Sequence, residues 1–337
     1  MSAVKQSFYD KSRQQLYKII PLDTPLTVVI EPSSICDLRC NFCAFSSETA
    51  LNNRQHVMKN MSKETLVTII KQLKEFPQQI KSICFTGLGE PLMNPMLPDM
   101  IKSVKESGVT QRTMVITNAV NLTQSNSLAL INSGLDSIII SVNGLNADDY
   151  EKFAGRRIDY DKYVKQIAYL YANKDKLLIN VKINNLCINN DNDRKYFFDT
   201  FENICDNINI DTIYNAFKDV HYDDKQSKYI SKHPDVKVSR SVCSQPFYRL
   251  CISSRGKVNF CNPISDFWCD ELNIHEKPLT DIWNGNFHKQ LQLNQLRGEH
   301  PKCKNCLCKD ELAFDEDNLD PFAEDLYKKL KESENLL

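Results

Sequence analysis

Leu26-Thr-Val-Val-Ile-Glu31, then Pro32-Ser-Ser-Ile, then Cys36-Asp-Leu-Arg-Cys40-Asn-Phe-Cys43 is the stretch that orders the rest of the chain. Its first part is a short apolar, β-branched run of strand type. Its last part sets three cysteines within eight residues, on a loop leaving the strand's C-terminal end. Five further runs of strand type follow, at Ile80–Thr86, Thr113–Asn118, Ser137–Val142, Leu177–Asn184 and Ile208–Ala216. Helical patterns lie between them, at Lys63–Glu75, Met96–Ser107, Gln124–Ser133, Tyr160–Asn173 and Asp193–Cys205. Such alternation predicts parallel βαβ units with right-handed crossovers. Six strands are too few to close an eight-stranded barrel, and no dinucleotide fingerprint follows the first strand. The expected fold class is therefore α/β, a partial (β/α)6 barrel of parallel strands with a small C-terminal Cys-rich hairpin-plus-helix domain. Chemistry is expected at the C-terminal ends of its strands.

Beyond the last strand the pattern changes. Lys218–Arg240 is a polar bridge. Phe247–Ile252 and Lys257–Cys261 read as a hairpin turning through Ser253-Ser-Arg-Gly256, and a helix follows near Leu279–Leu296. Paired cysteines and an acidic tail from Asp310 end the chain. The expected organisation is an N-terminal extension over 1–20, the barrel over 21–217, the bridge over 218–240, a cysteine domain over 241–310 and the tail over 311–337.

Composition narrows the class of protein. The 337 residues are 42% hydrophobic and 25% charged, the balance of a globular chain. Lys+Arg at 42 against Asp+Glu at 43 gives a net charge of −1, which removes the electrostatic case for nucleic acid or an anionic membrane as main partner. No apolar run reaches the about 18 residues of a membrane span, and the polar start lacks a signal peptide's apolar core. A cytoplasmic location is the expectation. In that reducing setting 13 cysteines point to metal or redox chemistry rather than to disulfides.

Cys36, Cys40 and Cys43 can converge on one soft metal centre. Structural zinc wants four protein ligands, and nothing close in sequence supplies the fourth; His56 is distant. A cubane iron–sulfur cluster on three thiolates keeps one iron open for a small molecule. The C-x3-C-x2-C spacing after the first strand resembles the radical S-adenosylmethionine (SAM) superfamily. That resemblance implies a [4Fe–4S] cluster on Cys36, Cys40 and Cys43, with SAM chelating the open iron. Reductive cleavage of SAM then yields a 5′-deoxyadenosyl radical that abstracts a substrate hydrogen. It also implies an external electron donor such as flavodoxin or ferredoxin.

The same resemblance carries over residue by residue. Phe42 stands where an aromatic packs near the adenine. Gly87-Leu-Gly89-Glu90-Pro91 resembles the Gly-Gly-Glu-Pro motif for the SAM amino group, with Leu88 in place of one glycine. Asn118 ends the third strand. Ser141-Val-Asn143-Gly ends the fourth and is similar to a Ser-Val-Asp-Gly segment facing the SAM ribose. Arg156 matches a frequent partner of the SAM carboxylate, a task that suits a guanidinium. A turn or cap at Asn118, Ser141 and Asn143, and a plain surface position for Arg156, are the bland alternatives.

Cys243-Ser-Gln-Pro-Phe, Gly256-Lys-Val-Asn-Phe-Cys261 and Cys303-Lys-Asn-Cys306 are similar to the SPASM/twitch extension of many radical SAM enzymes. The implication is one auxiliary [4Fe–4S] cluster on Cys243, Cys261, Cys303 and Cys306, since only Cys308 follows, at a different spacing. A four-thiolate cluster has no open iron and suits electron transfer or structure; a four-cysteine zinc site is the competitor. Cys84, Cys187 and Cys205 read as core residues, whereas Cys251, Cys269 and Cys308 are candidates for a substitute ligand or a hydrogen-donating thiol.

Two substrate classes are compatible with this chemistry. One is a carbohydrate or aminocyclitol-like small molecule, oxidised or epimerised. The other is a ribosomally made peptide, changed by epimerisation, thioether formation or cross-linking. The short stretch before the first strand favours the small molecule. Candidate bases are Arg156, His221 and the Lys or Asp residues of the bridge. A non-enzymatic iron–sulfur or zinc carrier or scaffold is the reading of another class, and the Gly89-Glu90-Pro91 loop argues against it.

Overall fold

The structure is a computed structural model; it describes residues 2–6, 13–53, 56–213, 240–261, 271–301, 303, 306 and 314–334. All six expected strands form, as β2 (Thr27–Ile30), β3 (Ser82–Phe85), β4 (Thr113–Thr117), β5 (Ser137–Val142), β6 (Leu178–Asn184) and β7 (Asn207–Asp211). They pair in sequence order, parallel throughout. The helices α3 (Lys63–Leu73), α4 (Leu97–Ser107), α5 (Gln124–Asn132), α7 (Tyr160–Asn173) and α8 (Asp191–Phe201) supply the crossovers. Their starts are written in the sequence. Ser62, Thr123, Asp159 and Asn190 each accept a backbone N–H of the first turn through the side chain, satisfying donors that the helix itself leaves unpaired. Gly108 at φ 72° ends α4 in a left-handed conformation open to glycine.

Three features go beyond the expected outline. A short β1 (Val4–Lys5) lies parallel beside β7. A helix α6 (Ala147–Ala154) is inserted after β5, capped by Asn146 and ended by Gly155. The C-terminal strand β8 (Arg249–Ile252) leaves its hairpin's isolation and pairs parallel with β2, so with β9 (Val258–Asn259) the sheet runs β1-β7-β6-β5-β4-β3-β2-β8-β9. Among the described strands of the sheet, β9 alone is antiparallel, to β8. The expected hairpin strand at Phe247 starts instead with a turn of helix, α9 (Gln245–Tyr248). The sheet does not close.

Strand parity separates two faces. Val28, Ile30, Ile83, Phe85, Val115, Ile138, Ile140, Ile179, Val181 and Ile208 all lie in the main core. The alternate positions Val29, Cys84 and Cys251, with Met114 and Ile116, form a smaller cluster on the concave side. The remaining helices are α1 (Leu16–Ile19), α2 (Glu48–Asn53), α10 (Leu279–Trp283), α11 (Asn286–Leu296) and α12 (Ala323–Glu334). The helix expected near Leu279–Leu296 is thus two, broken at Asn284-Gly285. A second core joins Leu16 and Ile20, Phe247 and Tyr248, Leu293 and Leu296, and Leu326 and Leu330, drawing both chain ends to the cysteine domain. Among the described residues no helix is long and apolar enough to cross a membrane. The bridge 218–239 with His221, and Cys269 and Cys308, lie outside the described residues.

Candidate active site

The cysteine loop springs from the C-terminal end of β2 and is pinned on several sides. Arg39 N and Asn41 N donate to Ala154 O and Phe153 O at the end of α6, at 2.8 and 2.9 Å. Leu38 is buried in the main core. Arg39 lies over the Phe45 ring, 4.4 Å from its centroid, and its guanidinium donates to Cys36 O and Leu38 O. Cys43 Sγ accepts from Phe45 N at 3.5 Å, a backbone N–H···S contact of the kind that tunes cluster sulfurs. His56 Nε2 is 2.7 Å from Ser34 O, so its ring braces the loop backbone.

Burial pushes the Cys36 thiol up to about 12. Burial also holds Cys40 well above the ordinary thiol range, reinforced by Cys43 and Cys36. Three thiols in one another's field, in a low dielectric, lose their protons only to a compensating cation. That donor set fits an iron–sulfur cluster. Among the described residues no three Cys, His, Asp or Glu side chains form a group around a single ion.

The Gly87–Pro91 loop packs against this one. A Cβ at Gly89 would lie 2.3 Å from Ser33 O and 2.7 Å from Ile35 O, and one at Gly87 would meet the Glu31 side chain. Glycine is thus required by the close approach of backbone to backbone. Glu90 N donates to Ile35 O at 2.8 Å. The Glu90 carboxylate accepts from Leu92 N at 2.9 Å, from Asn118 N at 2.8 Å and from Thr117 Oγ1. Burial raises its pKa to about 7, against those hydrogen bonds.

Asp37, which sequence reasoning missed, is the hub of the expected SAM contacts. It accepts from Asn118 Nδ2 at 2.9 Å, Asn121 Nδ2 at 3.1 Å and Arg156 Nη1 at 2.8 Å. Cys36, Glu90, Asn118 and Arg156 therefore converge, with Arg156 still half-exposed and paired to a carboxylate of the protein. Phe42 is half-buried within the cysteine loop. Asn143 is buried at the end of β5; its N–H donates to Tyr150 OH and its side-chain amide to Ser141 O, each at 3.3 Å. Asp37 follows a motif cysteine, the one signal that could have drawn notice to it.

From Ser141 the register leads along the concave face. Ser141 stands beside Lys182, Lys182 beside Asn209, and Asn184 beside Asp211. Lys182 Nζ is 2.7 Å from Asp211 Oδ2, and Asn209 Nδ2 donates to Asp211 Oδ1. One row lower, Asn207 Nδ2 donates to Asn180 Oδ1 at 2.7 Å. Asn184 Oδ1 is sealed from solvent and accepts no hydrogen bond among the described residues.

The auxiliary cysteines also converge. Cys243 is held far above the ordinary thiol range by burial, then by Cys261, Cys306 and Cys303. The donor chemistry of four thiols, three of them within electrostatic reach of Cys243, fits a cluster that takes all its ligands from the protein. Cys243 N donates to Gln295 Oε1 at 3.4 Å, and Ser241 N and Val242 N donate to Asp320 at 2.9 and 2.8 Å. Cys306 N donates to Cys303 O at 3.1 Å, and Cys261 N to Asn259 Oδ1 at 2.8 Å. Glu31 joins the two regions: its buried carboxylate accepts from Leu88 N at 3.1 Å and from Ser254 N of the hairpin at 3.2 Å. Cys84, Cys187, Cys205 and Cys251 are buried.

An open parallel α/β sheet with a three-cysteine loop at one strand end, closed by a four-cysteine C-terminal unit, defines an iron–sulfur enzyme class. The chain belongs to the radical SAM superfamily, whose model matches residues 30–201, and the SPASM iron-sulfur cluster-binding domain matches residues 243–307. Its cofactors are accordingly SAM, a [4Fe–4S] cluster and auxiliary iron–sulfur chemistry. The GTP 3′,8-cyclase of Chlorobaculum tepidum is 30% identical over 169 residues, 49% of this chain and 46% of that protein. The chain thus spans about half the length of that relative. Among solved structures, Streptococcus suis SuiB bound to S-adenosylmethionine is similar at TM-score 0.60 and 20% identity, over 87% of this chain and 73% of SuiB. BtrN in complex with AdoMet and 2-DOIA is similar at TM-score 0.51 and 17% identity, over 83% of this chain and 92% of BtrN.

Proposed function

We propose that this protein oxidises an alcohol carbon of a hydroxyl-rich small molecule, of carbohydrate or aminocyclitol type. The observation that carries the reading is the concave face of β6 and β7, where Asn180, Lys182, Asn184, Asn207, Asn209 and Asp211 stand in adjacent rows. Those side chains offer donors and acceptors suited to a polyol. SuiB has also been seen with a precursor peptide and BtrN with 2-DOIA; at such low identity these likenesses speak to the fold, and the substrate reading rests on this chain's own residues.

In this reading Cys36, Cys40 and Cys43 hold the SAM cluster, and Cys243, Cys261, Cys303 and Cys306 hold one auxiliary [4Fe–4S] cluster. When bound, these groups supply a hydrogen-abstracting 5′-deoxyadenosyl radical and a one-electron acceptor. Phe42, Gly89, Glu90, Asn118, Ser141, Asn143 and Arg156 seat SAM beside the polar rows, in keeping with the order Asn118, Ser141, Lys182 around the sheet. Asp211 takes the hydroxyl proton, oriented by Lys182 and Asn209. A flavodoxin- or ferredoxin-type donor reduces the SAM cluster.

The test is 5′-deoxyadenosine release by the anaerobically reconstituted protein with a strong reductant, across a panel of sugars, aminocyclitols and peptides. Wild type should release it with a polyol, and the Cys36/Cys40/Cys43→Ala protein should not. Asp211→Asn should keep SAM cleavage yet lower ketone formation by roughly 10²–10⁴-fold. Release coupled to peptides and indifferent to polyols would sink the substrate reading and leave the radical chemistry standing.

A further inference from the structure

The ladder that joins the hairpin places one fixed charge where the proposed function makes no use of it. In the antiparallel pair β8·β9, Cys251 faces Asn259 and Ile252 faces Val258. Two residues back along β8 and two beyond β9, the same register sets Arg249 opposite Cys261. The strands stay together there, since Cys251 Sγ donates to Cys261 O at 2.9 Å. The Arg249 guanidinium lies within electrostatic reach of Cys261, Cys251 and Cys84. Its Nε is sealed from solvent and donates to no acceptor among the described residues. Nor does any described carboxylate form an ion pair with it; Asp317, the acid whose field it shares, is paired to Arg13. Tyr248 contributes only its ring face, 5.8 Å from the guanidinium carbon.

A guanidinium does not give up its charge in a protein, and a half-buried one whose Nε is sealed from solvent gains from a nearby counter-charge. An iron–sulfur centre on four thiolates carries net negative charge, which grows by one on reduction. We propose that Arg249 is the counter-charge of the auxiliary cluster and raises its reduction potential. A fixed cation in a low dielectric favours the more negative, reduced form over the oxidised one. The proposal rests on the reading of Cys261 as a ligand.

The experiment uses the full-length chain carrying Cys36→Ala, Cys40→Ala and Cys43→Ala, so that only the auxiliary centre gives a signal. Anaerobic redox titration followed by electron paramagnetic resonance compares Arg249 with Arg249→Lys and Arg249→Gln. Arg249→Gln should lower the midpoint by at least a tenfold change in electron affinity, about 59 mV for one electron, at unchanged iron content. Arg249→Lys, which keeps the charge, should stay within about threefold of the parent, well inside that tenfold step. An unchanged midpoint in Arg249→Gln would overturn the proposal, as would an equal fall in both variants, which would mark a packing effect. If Arg249→Gln loses its iron, retention of iron and midpoint by Arg249→Lys supports a requirement for charge, and loss in both variants overturns it. Cys261→Ala in the same background should change the signal or lower the iron content; an unchanged signal and midpoint at unchanged iron would refute the ligand assignment itself and the proposal with it.

Discussion

Glu90 is only 3% exposed, yet three donors converge on its carboxylate. Replacing it with Gln turns one acceptor into a donor facing a donor, a mismatch of about 1–3 kcal/mol. The pH dependence works the other way. Burial raises the folded-state pKa from 4.5 to about 7, so the folded protein binds a proton that the unfolded chain releases. That contribution to stability is full below about pH 4.5 and is lost as pH rises through about 7. Glu90→Gln should therefore be less stable than wild type at pH 5, and the gap should shrink by roughly 2 kcal/mol by pH 7.5. Urea titrations of the anaerobic protein at the two pH values read this directly, and a gap independent of pH would refute it. The motif around Glu90 was legible in the sequence; the shifted pKa was not, because it depends on what buries the side chain.

At the scale of elements, β8 is the piece that changes most between sequence and structure. Read locally, Phe247–Ile252 belongs to a separate hairpin. In the fold its last four residues pair with β2 over Thr27–Ile30, and Glu31 N continues the contact by donating to Ile252 O at 2.9 Å. Glu31 then spans the junction, with one carboxylate oxygen on the Gly87–Pro91 loop and the other on Ser254. Both groups it serves are backbone N–H donors, so no residue pattern announces them. Glu31→Gln can satisfy only one of them. We expect a loss of about 1–3 kcal/mol in stability together with weaker SAM binding, measured by urea unfolding and by equilibrium dialysis. Wild-type affinity in a protein that has lost that stability would mean that Glu31 holds the hairpin alone and does not shape the SAM loop. The inserted helix α6 escaped notice for a related reason: its eight residues are short for a periodic signal, though Asn146 and Gly155 frame it with recognisable cap residues.

Across the whole molecule, two cores share the work. The main one lies between the sheet and its crossover helices. The second gathers Leu16 and Ile20 from the N-terminal region with Leu326 and Leu330 from the last helix, around Phe247 and Leu296. Tyr17 stacks on Phe322 with ring centroids 3.6 Å apart. The acidic stretch is therefore structural over its described part: Asp320 accepts from Ser241 N and Val242 N, the two residues ahead of Cys243. Asp320→Ala should leave those donors without their acceptor and loosen Cys243. The expected outcome is faster loss of auxiliary iron to a chelator, with the iron of the Cys36 loop unaffected. Equal rates in mutant and wild type would reduce Asp320 to a surface acid.

The sequence by itself determined the alternation of strands and helices, the strand ends at which chemistry gathers, and both cysteine sets. Each of these depends on short-range signals: β-branched runs, helix caps, and ligand spacings of a few residues. Only the tertiary structure decided that β8 lies beside β2, that Asp37 gathers Asn118, Asn121 and Arg156, and that Lys182 meets Asp211 across neighbouring strands. Those partners stand up to more than two hundred residues apart along the chain. What joins them is sheet register and burial, properties of the assembled molecule that no local pattern encodes.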